Sequence, residues 1–599
     1  MRMIRAVSRL ELCPAFRDNF PSMTNRLLML GLWLCLLPAV APAGGGPLNA
    51  LVVVNGSSRD SRALGAYYLE KHGIPQRQLC TIKVNPRATS LSLAEFEREV
   101  RLPIQAHVAN HGLADQIHYL VLCMDIPSRV ENDNGITSVL FYGYKPATPD
   151  APPCHVASNS VNQYYGSETA YNATAGWNQT NAPIPFLLTA ADLETAKRVV
   201  DRGVASIAAF PDGAFCLYGS GDSARNVRHR TYAVVARQFE LLGRGAWLDV
   251  DAAGSPAPAR PVLGYLTGLA YLPTNLAGAA FAPGAIADHL TSCAGMIPEP
   301  CLNQSTVWDW MRLGATASYG TVTEPCAFNA KFPDPMYFFW YARGFTAGEA
   351  LAMSVRNPYQ GIWVGDPLAA PFAAPPAVRI LEPARNAKLD GETTLKLALS
   401  AHERGAPPTF LDLYVDGLYR APIARPFAPV GNEIALQIGT ERFVYVAAPG
   451  EDLYAVAAGL AWAVNSKGAG RITASAKADR VEITVREPLG ADGQPVPFAA
   501  SVEQGFASGL YLGAVAGTDR VVVADGAGRA LVLLHLGNAR AYEIEYPFDL
   551  AELEPGPHVL TFVTRDGTAM QCQSQAELPL TIPARTAPPA AAAAETPAN

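Results

Sequence analysis

The chain has no long apolar stretch beyond residue 37, no block of basic residues and no C-x-x-C pair. Each absence removes a class of protein. A membrane-spanning helix needs about 20 apolar residues, so no transmembrane segment is expected after the N-terminal region. Nucleic-acid binding needs clustered Lys and Arg. Here 46 Lys+Arg face 53 Asp+Glu, and the net charge of −7 is spread along the chain, so no nucleic-acid partner is expected. A structural zinc site needs cysteines paired at short spacing. The ten cysteines are scattered, so neither metal nor cofactor is expected. Charged residues are few, 17% against 49% hydrophobic, which suits globular domains with ample core material. With 599 residues the chain exceeds one core, and about two to four domains are expected.

Residues 1–43 read as an upstream extension followed by a secretory signal. Met23-Thr24-Asn25-Arg26 is a short basic start, Leu27 to Leu37 is apolar, and Ala41-Pro42-Ala43 supplies small residues before Gly44, the expected mature start. The apolar run is short for a bilayer span; an uncleaved anchor is the alternative. The expected location is therefore periplasmic, extracellular or cell-surface. Export permits disulfides. Cys293 with Cys301, or Cys301 with Cys326, are the candidate bridges, and buried free thiols are the alternative.

Residues 48–373 alternate strand and helix patterns. Ala50 to Val54 is a continuous apolar run, as in a strand buried on both faces. A helix over Leu64–Lys71 stops at Gly73-Ile74-Pro75, and Leu79–Val84 is the second strand. Ser92-Leu93-Ala94-Glu95 is a capping box opening a helix with a kink expected at Pro103. Ile117–Met124 is the third strand. Short connections of this kind imply right-handed crossovers and a three-layer α/β domain on a parallel sheet. From 126 to about 185 the pattern gives way to Pro, Gly, Asn, Ser and Tyr, read as a functional loop or lid. Helices are expected at Ala190–Val200, Tyr232–Leu242 and Thr306–Leu313. Further strands are expected at Val262–Tyr265, Ile286–Leu290 and Thr316–Val322.

Past the linker Ala373-Ala374-Pro375-Pro376 the composition turns β-rich. Leu411 to Gly417 alternates and turns like an immunoglobulin-type hairpin, and its complement comes much later, at Leu550–Leu560 and Leu578–Ile582. The expected organisation is an immunoglobulin-like sandwich from 377–430 plus 506–583. It carries an inserted α+β module over 434–505, and a disordered Ala/Pro-rich tail follows from 585 to 599.

Three blocks could carry chemistry: Asp288-His289-Leu290-Thr291-Ser292-Cys293-Ala294-Gly295; Gly314 through Glu324-Pro325; and Gly348-Glu349-Ala350 followed by Val364-Gly365-Asp366-Pro367-Leu368. In order and content they resemble gingipain-like cysteine peptidases of the caspase–haemoglobinase fold. More closely, they are similar to a family of uncharacterised exported bacterial proteins, over about 48 to 373 and including the opening strand with Asn55. The resemblance implies Cys293 as nucleophile, with His289 as the nearest substitute for the Gly-His-Gly histidine, whose place is held by Leu269. A Cys–His pair needs hydrogen-bond reach, and four residues along a strand span about 13 Å. Two classes follow: a non-catalytic or degenerate relative serving as a binding module for a protein or polar ligand, or a cysteine-type hydrolase using Cys293.

Ligands bind beyond the carboxyl ends of parallel strands. Asp288, Ser292 and Glu324 are therefore expected to gather at one sheet edge with Asp366, and Asp288, Cys293 and Glu324 to lie at that edge under the 126–185 loop. Gly365-Asp366-Pro367 is otherwise a capping turn, and Cys293 otherwise a small core residue. Glu131 to Gly135 has calcium-loop chemistry without the distal Glu. Asn172, Asn178 and Asn303 lie in glycosylation-type sequons.

Overall fold

The structure, a computed structural model, describes residues 44–147, 155–157, 159–173, 182–299, 301–389, 391–424, 432–448, 451–487, 490, 493, 496–503, 510–513, 528–537 and 539–584. Residues 1–43, Asn178 and residues 585–599 lie outside them.

Ten strands form one mostly parallel sheet. In chain order they are β1 (Ala50–Asn55), β2 (Leu79–Ile82), β3 (Tyr119–Cys123), β4 (Ile184–Leu188), β5 (Ala214–Tyr218), β6 (Leu248–Asp251), β7 (Val262–Thr267), β8 (Phe281–His289), β9 (Ala317–Thr321) and β10 (Gly361–Gly365). Across the sheet the order is β2-β1-β3-β4-β10-β9-β8-β7-β5-β6. β1, β3, β4, β5, β9 and β10 are buried at every residue, because helices cover both faces.

The helices are α1 (Arg59–His72), α2 (Leu102–Asn110), α3 (Ile136–Tyr142), α4 (Leu193–Ser206), α5 (Tyr232–Leu241), α6 (Val307–Leu313), α7 (Tyr337–Arg343) and α8 (Ala347–Ser354). α1 starts where the Ser58 side chain accepts from Ser61 N–H and stops at left-handed Gly73. The Ser92–Glu95 capping box forms, and a π-helical turn, Glu97–Arg101, precedes Pro103 in α2. The segment read as an irregular loop contains α3, buried along its whole length.

The sheet departs from the parallel expectation at β9 and β10, which run antiparallel, with Ala317 opposite Gly365 and Thr321 opposite Gly361. Two helices, α7 and α8, separate these strands, so the chain returns to the edge it left. A single crossover helix would have given a parallel neighbour.

Beyond residue 376 two small antiparallel sheets share one core of Leu395, Leu397, Leu411, Leu413, Leu560, Phe562 and their neighbours. One holds β11 (Ala377–Glu382), β12 (Glu392–Ser400) and β22 (Ala541–Asp549); the other holds β13 (Pro408–Val415), β14 (Leu418–Ala424), β23 (Gly556–Asp566) and β24 (Gln573–Ile582). Between β14 and β22 lies a unit with its own core. It contains β15 (Glu433–Ile438), β16 (Glu441–Val446), α9 (Leu453–Lys467), β17 (Ile472–Lys477), β18 (Arg480–Val485), β19 (Phe498–Glu503), β20 (Leu510–Gly513) and β21 (Arg529–Leu536). Its extent passes the 434–505 limit read from sequence. β21 pairs with β18, and Ala530, Val532 and Leu534 enter the insert's core, so this strand belongs to the insert.

A buried charge network fastens the insert to the large sheet. Arg480 bonds both oxygens of Glu168, at 2.7 and 2.9 Å, and Arg343 at the end of α7 reaches Glu168 at 3.2 Å and Asp479 at 2.6 Å.

Candidate functional site

At the edge where β8 and β9 end, a hollow of about 210 Å³ opens, lined by Arg225, Thr291, Ser292, Glu324, Pro325 and Phe332 among others. The turn after β8 is held in place by β9: Thr321 Oγ1 donates to the carbonyls of Ser292 (2.9 Å) and Thr291 (3.2 Å). Ser292 is half-buried there and Glu324 is exposed, its Oε1 accepting from Cys326 N–H at 2.7 Å.

Arg225 follows β5 on a Gly/Ser/Asp-rich turn. Its Nη1 donates to Asp222 at 2.8 Å and its Nε to Thr291 Oγ1 at 3.1 Å, leaving Nη2 without a partner among the described residues. The turn after β7 abuts it closely. A Cβ at Gly268 would sit 2.0 Å from the Arg225 carbonyl, so only glycine fits where the resemblance calls for the residue before the histidine. Leu269 follows, so an aliphatic side chain stands where the resemblance calls for the imidazole, and the neighbouring Arg225 cannot act as a base.

Lys331 is 1% exposed and donates to the carbonyls of Pro325 (2.9 Å) and His155 (3.1 Å). It thereby ties a residue of the 126–185 segment to the lip of the hollow, and Tyr359 Oη adds a second bond to His155 at 3.0 Å. Burial draws the Lys331 ammonium down to about 8, with Glu324 opposing.

Of the residues singled out from sequence, Ser292 and Glu324 meet at this hollow. Asp288 lies beneath it, fully buried and paired with Arg228, which also donates to the carbonyls of Thr267 (2.7 Å) and Pro333 (3.2 Å). Burial raises the Asp288 carboxyl above its ordinary range, with Arg228 opposing. Asp366 is elsewhere. Its N–H donates to Thr316, at the start of β9, and its carboxylate binds Tyr68 Oη (2.7 Å) and His72 Nε2 (2.8 Å) of α1. The antiparallel course of β10 puts its end at the edge away from Thr321, and that separates Asp366 from Glu324.

The two residues proposed for peptidase chemistry are both engaged. Cys293 is bonded to Cys301, and Cys326 is disulfide-bonded as well, so the Cys301–Cys326 pairing does not form. His289 accepts from Trp310 Nε1 at Nδ1 (2.9 Å), so Nε2 carries the proton and donates to the Ser305 carbonyl (3.1 Å). Burial lowers this imidazole to about 4. Among the described residues no three metal-binding side chains come together. In the Glu131–Gly135 run, Glu131 accepts from Leu93 N–H at 2.6 Å and the Asn134 side chain is bonded to Lys145, so its polar groups serve the turn.

Arg225 and Lys331 were not foreseen. A signal for Arg225 was present: Ala214-Phe215-Cys216-Leu217-Tyr218 is an apolar run followed by Gly219-Ser220-Gly221-Asp222, a strand ending in a turn. Lys331 had none, because a buried lysine looks like a surface one in sequence.

No protein-family model matches the chain, and no curated protein does. Among solved structures, a protease aligns with 84% of this chain and 98% of its own, at 11% identity and a TM-score of 0.33. Dimeric latent PorU from Porphyromonas gingivalis aligns over 90% of this chain and 55% of its own, at 10% identity and a TM-score of 0.22. This chain thus spans about half of PorU. Neither likeness assigns a residue of the hollow.

Proposed function

We propose that this chain is a non-catalytic relative of gingipain-like peptidases that works outside the cytoplasm as a binding module. On this reading the large sheet is a caspase–haemoglobinase-type domain and the two C-terminal sheets are an immunoglobulin-like sandwich. The observation that carries it is the commitment of both would-be catalytic groups. A nucleophile must be a thiolate, and the Cys293 sulfur is in a disulfide. A base must have a free lone pair, and the one on His289 already accepts from Trp310.

The hollow supplies what recognition needs instead. Arg225 offers a cationic donor, Ser292 a hydroxyl and Glu324 an exposed carboxylate within one concavity. Small-molecule pockets usually measure ~300–1,000 Å³, so a hollow of about 210 Å³ takes one polar residue of a larger partner. The ligand class is therefore a protein or peptide segment presenting a dipolar side chain.

The test is labelling of the oxidised protein with a biotinylated iodoacetamide, alongside binding to an immobilised pentapeptide library. No label is expected at Cys293, and Arg225→Met is expected to reduce peptide retention at least ~10-fold, the loss of one charge-assisted hydrogen bond. Peptide hydrolysis that disappears in Cys293→Ala would sink the reading.

A further inference from the structure

Three consecutive glycines, Gly44-Gly45-Gly46, run through a slot between α8 and the start of β24. Gly44 and Gly46 are buried. A Cβ at Gly44 would lie 2.8 Å from the Gln571 carbonyl oxygen, at Gly45 2.5 Å from Thr346 Cγ2, and at Gly46 2.9 Å from Gln573 Cδ. No other residue type passes without moving its neighbours. The slot widens into a cavity of about 150 Å³ that Glu349 also lines.

Glu349 is 1% exposed and, among the described residues, has no cationic partner. Its Oε1 accepts from Tyr171 N–H (2.8 Å) and its Oε2 from Thr346 N–H (3.0 Å) and Oγ1 (3.1 Å). Gly44 N–H donates to the carbonyl of the same Tyr171, at 3.4 Å. Gly45 touches Thr346 and the Tyr119 hydroxyl, both neighbours of that carboxylate. The other titratable groups facing the cavity are committed or neutral. Lys71 lies 4.0 Å from Asp201, His72 binds Asp366, and burial raises the Cys572 thiol. A buried carboxylate without a counter-charge is costly, and burial pushes Glu349 up to about 7.

We propose that the α-amine freed at Gly44 on removal of the secretory segment is a structural group of the mature protein, docking against Tyr171 as the counter-charge of Glu349. The inference rests on Ala41-Pro42-Ala43 being the cleavage site. Hydrolysis of the Ala43–Gly44 bond consumes one water, leaves a carboxylate on Ala43 and puts an ammonium on Gly44. The three donors of that ammonium replace one amide N–H. The slot thus reads an N-terminal amine followed by residues without side chains, and export completes the folded state.

The test uses the full mature chain, made to begin at Gly44 by cleaving a fusion, and a pulse of acetic anhydride at pH 7 read by mass spectrometry of the N-terminal peptide. Folded Gly44 is expected to acetylate at least ~10-fold more slowly than the same chain in urea, as one pKa unit of amine stabilisation requires. Glu349→Gln is expected to restore the urea rate, and so is a chain that keeps Ala43. If Glu349→Gln fails to fold, the Gly44 and Ala43 starts decide alone, and equal rates overturn the proposal. Sequencing an exported protein that begins elsewhere overturns the cleavage reading separately.

Discussion

Charging the His289 ring would place a second proton on Nδ1, against a Trp310 N–H that can only donate. Burial lowers the imidazole to about 4, and this clash of donors acts in the same direction. An unfolded histidine titrates near 6.5, so the folded state binds fewer protons than the unfolded one between those values. The stability this group contributes is full above pH 6.5 and is lost as the pH falls toward 4, by up to about 3 kcal/mol. His535, also lowered to about 4, acts in the same direction, and Asp566 and Glu349, each raised to about 7, act in the opposite one. Comparison with His289→Gln isolates one group. Between pH 7 and 4.5 the urea midpoint of the wild type is expected to drop clearly relative to that of the variant; parallel curves would contradict a His289 ring held neutral in the folded state.

Among the elements, α7 and β18 are joined by a buried charge network, with Arg480 also packed over the Phe339 ring. Arg343 and Arg480 bracket Glu168, and all three are nearly excluded from solvent. Burial alone would raise the Glu168 carboxyl, yet the two guanidinium groups hold it below its ordinary range. Removing one partner of such a network strands the others, whereas replacing a pair with apolar residues of similar size does not. Arg480→Ala is expected to cost about 3–5 kcal/mol in chemical denaturation, and Glu168→Leu with Arg480→Met about 1 kcal/mol or less. A single variant as stable as the wild type would mean that the network does not hold these elements together.

For the whole molecule, the insert is a fastened part of the large domain. Its own sheets and core could close without the rest, but Asp479, Arg480 and Glu482 reach Arg343, Glu168 and Gln238 on the large domain or its neighbours. Excision of 432–537 with a short Gly/Ser link is therefore expected to lower the melting temperature of the remainder. Adding Glu168→Leu together with Arg343→Met, the pair that excision leaves behind, is expected to recover part of the loss. Recovery should be read by thermal denaturation at one pH, and its absence would place the fastening in apolar contacts.

What the sequence alone determined about this protein is local. Runs such as Ala50–Val54, the Ser92–Glu95 capping box and the stop at Gly73 depend on neighbours a few residues apart, and each forms as the pattern predicts. Residues just past β8 and β9 also converge as strand direction requires, so Ser292 and Glu324 share a hollow. Tertiary structure decided the rest, because those outcomes join distant residues. His72 meets Asp366 across 294 positions and Arg480 meets Glu168 across 312, separations at which periodicity carries no information. The direction of β10 sends Asp366 to α1 instead of to Glu324. Pairing with Cys301 occupies the Cys293 sulfur, and Trp310 selects the His289 tautomer. Residue types alone are compatible with a nucleophile and its base; only the folded neighbours occupy the sulfur and the lone pair that such chemistry would need.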